Sequence, residues 1–389
     1  MIGLNDAQDR DCGPAVRQLA EWGNMLKIGI VGLPNVGKST LFNALTKQSV
    51  PCENYPFCTI DPAVGVVGVP DERLNKLAVL SKSEKVIPAA IEFVDIAGLV
   101  RGAAEGAGLG NQFLSHIREV DAILEVVRFF DDPDITHVEG EVEPARDIET
   151  VNLELALADL EQVRARREKL VRDIKAGVIE AKAEDAVLAK LEQGFGEGKL
   201  ARLIVLLQDE AALVAHLNLL TMKPILYTLN KKSGGHNLDE LNDGRAERAY
   251  EMIEKLGGKY VKVDAATERE LNEVADIDRQ SFREEFGVHD DGIRDLIRGA
   301  YAALGLISFF TTGPKETRAW TVREGSIAPL AGAAIHSDFR DKFIRAEIVS
   351  CTDLLAASSY AAAREQAKVR TEGKEYIVRD GDVILFLHS

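Results

Sequence analysis

The chain is short of cysteine, of long apolar runs and of positive charge. Its four cysteines, Cys12, Cys52, Cys58 and Cys351, form no CxxC pair and no dense framework. A disulfide scaffold is therefore excluded, and a reducing cytoplasm is the expected location. Apolar runs such as 28–31 and 383–387 fall far below the ~20 residues that span a bilayer, so no membrane partner is expected. With 47 Lys+Arg against 63 Asp+Glu, the formal net charge is −16. That balance argues against a general nucleic-acid coat and against DNA as a partner, because phosphate binding relies on clustered bases. The deficit is uneven. From residue 305 onward acids and bases are equal in number, so this segment is the least repelled by RNA.

A length of 389 residues allows two or three domains with buried cores. Residues 1–24 lack the basic start and apolar centre of an export signal. They are expected to be a disordered or misassigned leader, with Met25 as the working start, or alternatively a regulatory arm. The strongest signal follows in LKIGIVGLPNVGKST. A continuous apolar strand runs into Gly32-x4-Gly37-Lys38-Ser39, the phosphate-binding P-loop, and an amphipathic helix follows. Glycines let the backbone curl around a phosphate, and the helix start points its positive dipole end at the anion. Gly32, Asn35, Val36, Gly37, Lys38, Ser39 and Thr40 are the expected cradle. Lys38 supplies charge to the β- and γ-phosphates, and the Ser39 hydroxyl ligates Mg²⁺.

Downstream elements fit the same chemistry. AAIEFVDIAGL ends an apolar strand on Asp95, three residues before Gly98. The acid can hold Mg²⁺ through water, and the Gly98 N–H can meet the γ-phosphate. ENYPFCTIDP offers Thr59 as a further Mg²⁺ ligand. Lys38, Thr59 and Gly98 are thus the expected catalytic set, and Ser39, Thr59 and Asp95 the metal set. Leu99 stands where many GTPases place a water-orienting glutamine, so hydrolysis is expected to be slow or to use another group. Gly102, Gly106, Gly108 and Gly110 make the following stretch a candidate switch or a plain surface loop.

DAILEVVRFF reads as another strand. After Gly140 the pattern becomes helical, with a stripe of Leu153, Leu157, Leu160, Val163, Leu170 and Ile174. A second helical run precedes Gly194, predicting an antiparallel hairpin whose charged face is more simply solvated than docked. Sheet character resumes at KPILYTLN and KYVKVDAATE, which makes the helices an insertion. In the tail, RAWTVR, FIRAEIVS and YIVRDGDVILFL read as short strands around one helix, a β-grasp pattern. Its last two strands are expected to turn at Asp380-Gly381.

Together GLPNVGKST, NYPFCTIDP, VDIAGLVRGAAEGAGLGNQFL, the helical insertion and the tail from FTTGPKETRAWTV to EGKEYIVRDGDV resemble the YchF/Obg-like ATPase family. The resemblance runs from about Met25 to the C-terminus. It implies an α/β fold: a P-loop, Obg-type G domain at 25–140 and 201–304, interrupted by a coiled-coil insertion at 141–200, then a β-grasp TGS domain at 305–389. It further implies ATP preferred over GTP, ribosome association, possible involvement of the TGS domain in it, and an apolar residue at the glutamine position, which Leu99 matches. The chain departs from the family in three places. Ser233 ends Asn230-Lys231-Lys232-Ser233 where an acid is usual. Glu125 stands where many members have a histidine proposed as catalytic. Asp264-Ala265 replaces a Ser-Ala or Cys-Ala pair.

Guanine selection needs paired acceptors, and one Ser233 hydroxyl cannot supply them. Guanine preference is thus expected to be weak unless Asp264 substitutes. Adenine is expected to be read by the Asn230 side chain and the Lys231 backbone. The expected function is a slow Mg²⁺-dependent ATPase working as a ribosome-associated switch. The alternatives are a GTPase and a nucleotide-gated ribosome-binding module with negligible hydrolysis. Asn35 is either a loop-capping residue or a K⁺ ligand beside the phosphates. Arg340, Lys342, Arg345, Lys374 and Arg379 are the candidate ribosome contacts in the tail, or ordinary charges paired with Asp338, Asp341 and Glu347.

Overall fold

The computed structural model describes residues 25–47, 49–51, 55, 63–96, 109–137, 140–274 and 292–388. Thr59, Gly98, Leu99, Gly102, Gly106 and Gly108 lie outside these residues. The first sheet has the order β2 (Val64–Gly68), β4 (Ala90–Asp95), β1 (Lys27–Val31), β5 (Ala122–Arg128), β7 (Ile225–Asn230) and β9 (Lys259–Val263). Every pairing is parallel except β2 with β4. β5 and β7 are buried along their whole length, as expected for parallel strands covered on both faces. Register aligns Ile30 with Asp95, Arg128 with Asn230, and Asn230 with Val263. The loops leaving β1, β4, β7 and β9 therefore meet at one edge, where open α/β sheets hold their ligands.

The insertion is a hairpin of the helices Pro144–Lys175 and Ile179–Gly196. Its apolar stripe differs from the one expected, because Leu153 and Leu157 are exposed. The first half of the long helix turns Ile148, Val151, Leu155 and Ala158 into the core beneath the sheet. Farther along, Ala156, Val163 and Leu170 pack in a second core with Leu188, Leu191 and Phe195. One helix thus serves two cores on two faces, which a single stripe cannot describe. Segment 201–222 also contributes to the second core, through Ala201, Val214, Leu217 and Leu219. The charged face is laced across the hairpin by Arg166 with Glu184, at 2.7 and 2.8 Å, and Arg167 with Asp185 and Glu192, at 2.8 and 2.7 Å.

A second six-stranded sheet has the order β13 (Arg370–Glu372), β12 (Phe343–Ser350), β14 (Asp382–His388), β10 (Leu306–Thr312), β11 (Glu316–Arg323) and β3 (Lys85–Ile87). Its core gathers Phe309, Val322, Phe343, Ile348, Ile384 and Phe386 beneath the helix Ala328–Ala333. The expected hairpin at Asp380-Gly381 does not form. Ile377 makes only an isolated bridge to Ile327, and β14 pairs with β12 instead. Asp380 is drawn elsewhere: it accepts from Ser308 N at 3.0 Å and from Arg73 Nη1 at 2.6 Å.

Strand β3 comes from the nucleotide-binding half yet adds to the C-terminal sheet, parallel to β11. It follows the helix Glu72–Ser81, whose N-cap Asp71 accepts from Arg73 N and also pairs with the Arg73 guanidinium. This excursion leaves the first sheet after β2 and returns at β4. The chain between β2 and Asp95 is thereby fastened to the C-terminal half. A two-stranded ribbon of β6 (Phe130–Asp131) and β8 (His236–Asn237) lies beside β5 and β7.

Candidate functional site

The P-loop leaves β1 through two left-handed glycines, Gly32 at φ 148° and Gly37 at φ 101°. A Cβ at Gly32 would strike the Val126 carbonyl, and one at Gly37 would strike the Asn230 amide. Glycine is demanded here by φ and by close approach together. The helix Lys38–Thr46 begins immediately afterwards, with Gly37 as its N-cap. Lys38 is 9% exposed, and its Nζ donates to Leu33 O at 2.7 Å. Burial pulls its pKa down to about 8, against the raising influence of Asp95. A lysine this uncomfortable without an anion is poised to receive one.

Ser39 Oγ donates to Asp95 Oδ2 at 3.4 Å. Burial raises the Asp95 pKa, opposed by Lys38 and by the Ser39 bond. Two hard oxygen donors converging beside a buried ammonium fit Mg²⁺ with its phosphate ligands. Asn35 adopts φ 63° and donates from Nδ2 to Thr136 O at 3.2 Å, so its amide braces the loop. Val36 and Gly37 are held from β7: Asn230 Nδ2 donates to Val36 O at 2.8 Å, and Asn230 Oδ1 accepts from Ala265 N at 3.1 Å.

The base-facing loops narrow the expected reading of adenine. The Lys231 N–H donates to Val263 O at 2.8 Å, so it cannot serve as the donor to a base. Lys232 N donates to Asn237 Oδ1 at 2.9 Å and Ser233 N to Asp264 Oδ2 at 2.5 Å. Ala265 N is engaged by Asn230, while Ala266 N and Thr267 N donate to Asp264 Oδ1 at 3.1 and 2.9 Å. All six of these N–H groups have partners within the protein. The Lys231 ammonium is 3.1 Å from both Asp239 and Glu240. Nor does Asp264 stand free to replace the missing acid. With the Thr267 hydroxyl at 2.7 Å its carboxylate accepts four hydrogen bonds, about all it can take. The sequence marked Asp264 as unusual, but capping a helix while pinning Ser233 across 31 residues leaves no local signature.

Glu125 is fully buried in β5, in register with Val31 and Tyr227, and neither carboxyl oxygen has a hydrogen-bond partner among the described residues. Burial drives its pKa well above 4.5, countered by Arg202 and reinforced by Asp147. Its surroundings come from the long helix of the insertion and from the turn after the hairpin: Asn152 Nδ2 and Arg202 Nη2 lie 3.4 and 3.5 Å from the Tyr227 hydroxyl. A carboxyl with a raised folded pKa contributes stability below its unfolded pKa and loses it as pH climbs. Glu125→Gln removes that loss. Its stability relative to wild type should rise by about 1.4 kcal/mol per pH unit above about 4.5, until the buried acid ionises. Denaturant unfolding at pH 5 and pH 8 measures it.

This edge is the phosphate-binding end of a P-loop nucleotide-binding domain of GTPase type. A family model described as a 50S ribosome-binding GTPase matches residues 27–161, and one named for the YchF-GTPase C-terminus, described as a protein of unknown function, matches 306–389. The Bacillus subtilis protein named ribosome-binding ATPase YchF is 49% identical over 368 residues, covering 93% of this chain and 98% of that one. Its Escherichia coli O157:H7 counterpart, with the same name, is 46% identical over 363 residues, covering 93% and 99%. A solved structure of the Schizosaccharomyces pombe YchF GTPase aligns with TM-score 0.82 and 38% identity, over 94% of this chain and 98% of that one. The chain belongs to the YchF family.

Proposed function

We propose that this chain is a slow Mg²⁺-dependent ATPase that works as a ribosome-associated nucleotide switch and takes ATP in preference to GTP. The observation that carries the base preference is the engagement of all six backbone N–H groups in the two base-facing loops. Guanine needs a donor for O6 and paired acceptors for N1–H and the N2 amine. The loops offer no free N–H from these six residues, and Ser233 is no acid. Adenine presents its N6 amine to an acceptor, which backbone carbonyls supply, and it asks for no paired acid such as guanine requires. A polar group left unpaired against guanine is a strong discriminator.

In this reading Lys38, protonated and desolvated, grips the β- and γ-phosphates at the start of its helix. Ser39 and Asp95 hold Mg²⁺ together with Thr59, and the ion supplies charge neutralisation on the phosphate oxygens. Gly98 meets the γ-phosphate. Leu99 cannot orient water, which supports slow turnover. Because Glu125 is sequestered in the sheet, a switch with negligible hydrolysis is the second reading. Single-turnover hydrolysis with and without ribosomes separates the two: measurable ATP cleavage supports the enzyme, and none in either condition supports the bare switch.

Relatives named ribosome-binding ATPase support ribosome binding, and the exposed tail bases are its candidate contacts. Arg340 is paired with Asp341 at 2.8 Å and Lys342 with Asp338 at 3.3 Å, both at the surface, where such pairs hold a cation in place only weakly. Arg345, exposed on β12, and the exposed Lys374 and Arg379 are the other candidates. Lys342→Glu with Arg345→Glu should weaken ribosome association about tenfold or more at moderate salt and flatten its salt dependence. ATP affinity should be unchanged. Cosedimentation across a salt series measures the effect, and an unchanged salt slope removes the patch from the account.

A further inference from the structure

We propose that Asp264 is the positioning residue that sets base selectivity in this chain. It clamps the two base-facing loops together and bars an acid at 233 from reading guanine; the inference rests on the adenine preference proposed above. One carboxylate joins both loops, accepting from Ser233 N on one side and from Ala266 N, Thr267 N and Thr267 Oγ1 on the other. Thr267 Oγ1 also lies 3.1 Å from Ser233 Oγ. The side chain of residue 233 is thus a single hydroxyl away from the Asp264 carboxylate. A second carboxylate at 233 would meet that charge across Thr267, and the repulsion would keep it protonated or turn it out of the site. The clamp also fixes Ser233, Ala266 and Thr267 with their N–H groups turned inward, away from any base.

Restoring the guanine-reading acid therefore requires two changes. The test uses the full chain with Ser233→Asp, Asp264→Ser, and both together, and reads the ratio of ATP to GTP dissociation constants by titration calorimetry. Serine at 264 preserves the helix N-cap, so the fold is retained, and thermal melts confirm this for each variant. Ser233→Asp alone should move the ratio by less than ~3-fold, and Asp264→Ser alone by less than ~10-fold. The pair should move it by ~100-fold or more toward GTP, well beyond the product of the singles. Asp264→Asn, which keeps the shape and removes the charge, should let Ser233→Asp recover part of that shift. A full shift from Ser233→Asp alone overturns the proposal, as does a double variant no different from the product of its singles. Failure of the adenine preference itself is separately visible, as wild-type protein binding GTP more tightly than ATP.

Discussion

Lys38→Ala is expected to abolish nucleotide binding, with ATP affinity falling by ~10³-fold or more and turnover lost with it. The side chain is buried and, among the described residues, makes one hydrogen bond, to Leu33 O, so two of its three N–H groups remain for phosphate oxygens. Charge-assisted bonds formed in a desolvated site are the strong kind, and two lost together reach this magnitude. The fold should survive, because alanine removes a charge whose burial is already costly. The depressed pKa gives an independent signature. In the free protein Lys38 is about half deprotonated near pH 8, and binding to phosphate requires the ammonium. Wild-type protein should therefore take up close to one proton per ATP bound at about pH 9 and about a tenth of one at pH 7. Below pH 8 the buried charge costs the free protein stability, and that cost is relieved as pH rises from about 8 toward 10.5. Calorimetry in buffers of different ionisation enthalpy reads the proton directly. No buffer dependence at pH 9 would contradict the depressed pKa of Lys38, whereas ATP affinity retained in Lys38→Ala would show that Lys38 is not the group that meets the phosphate.

Asp159→Ala should be the most damaging change outside the nucleotide site, costing about 3–5 kcal/mol. Asp159 is completely buried on the helix Pro144–Lys175, near where that helix passes from one core to the other. Its carboxylate accepts from Leu220 N at 2.9 Å, Thr221 N at 2.8 Å and Thr221 Oγ1 at 2.7 Å, and Arg118 stands 3.7 Å away. Burial raises its pKa even against these bonds, so the charge is held at a price and its partners depend on it. Alanine leaves two buried N–H groups without an acceptor just where the chain returns from the insertion toward β7. That strand carries Asn230, the brace of the P-loop. Hydrogen exchange should quicken at 220–230 in the variant while β10 to β14 stay protected. Unchanged exchange at Leu220 and Thr221 would contradict the role given to Asp159.

Much of the site was legible because its chemistry is local in sequence. The apolar strand, the glycine spacing and the lysine of the P-loop fall within 15 consecutive residues, and Asp95 ends a strand whose pattern is plain. Parallel strands buried on both faces are near-continuous apolar runs, so β1, β5 and β7 announced themselves. What stayed hidden depends on distant partners. Nothing near Asp264 shows that it will meet Ser233, and nothing near Lys231 shows that its N–H will be taken by Val263. The stripe on the long helix was misread because its first turns answer to the sheet and its last turns to the second helix. The three residues of β3 are too few to show a period, and their partner β11 lies more than 200 residues away. Asp380-Gly381 carried a hairpin signal, but Arg73 and Ser308 claim the aspartate.

In the function proposed here, the nucleotide held by this P-loop decides whether the chain engages the ribosome, and that nucleotide is ATP. The most direct test is cosedimentation of the intact protein with ribosomes at fixed salt, titrated with the β,γ-imido analogues of ATP and GTP and with ADP. Association should differ about tenfold or more between the ATP analogue and ADP, with the GTP analogue matching the ATP analogue only at much higher concentration. Equal association with all three nucleotides, or a response driven best by the GTP analogue, would contradict it.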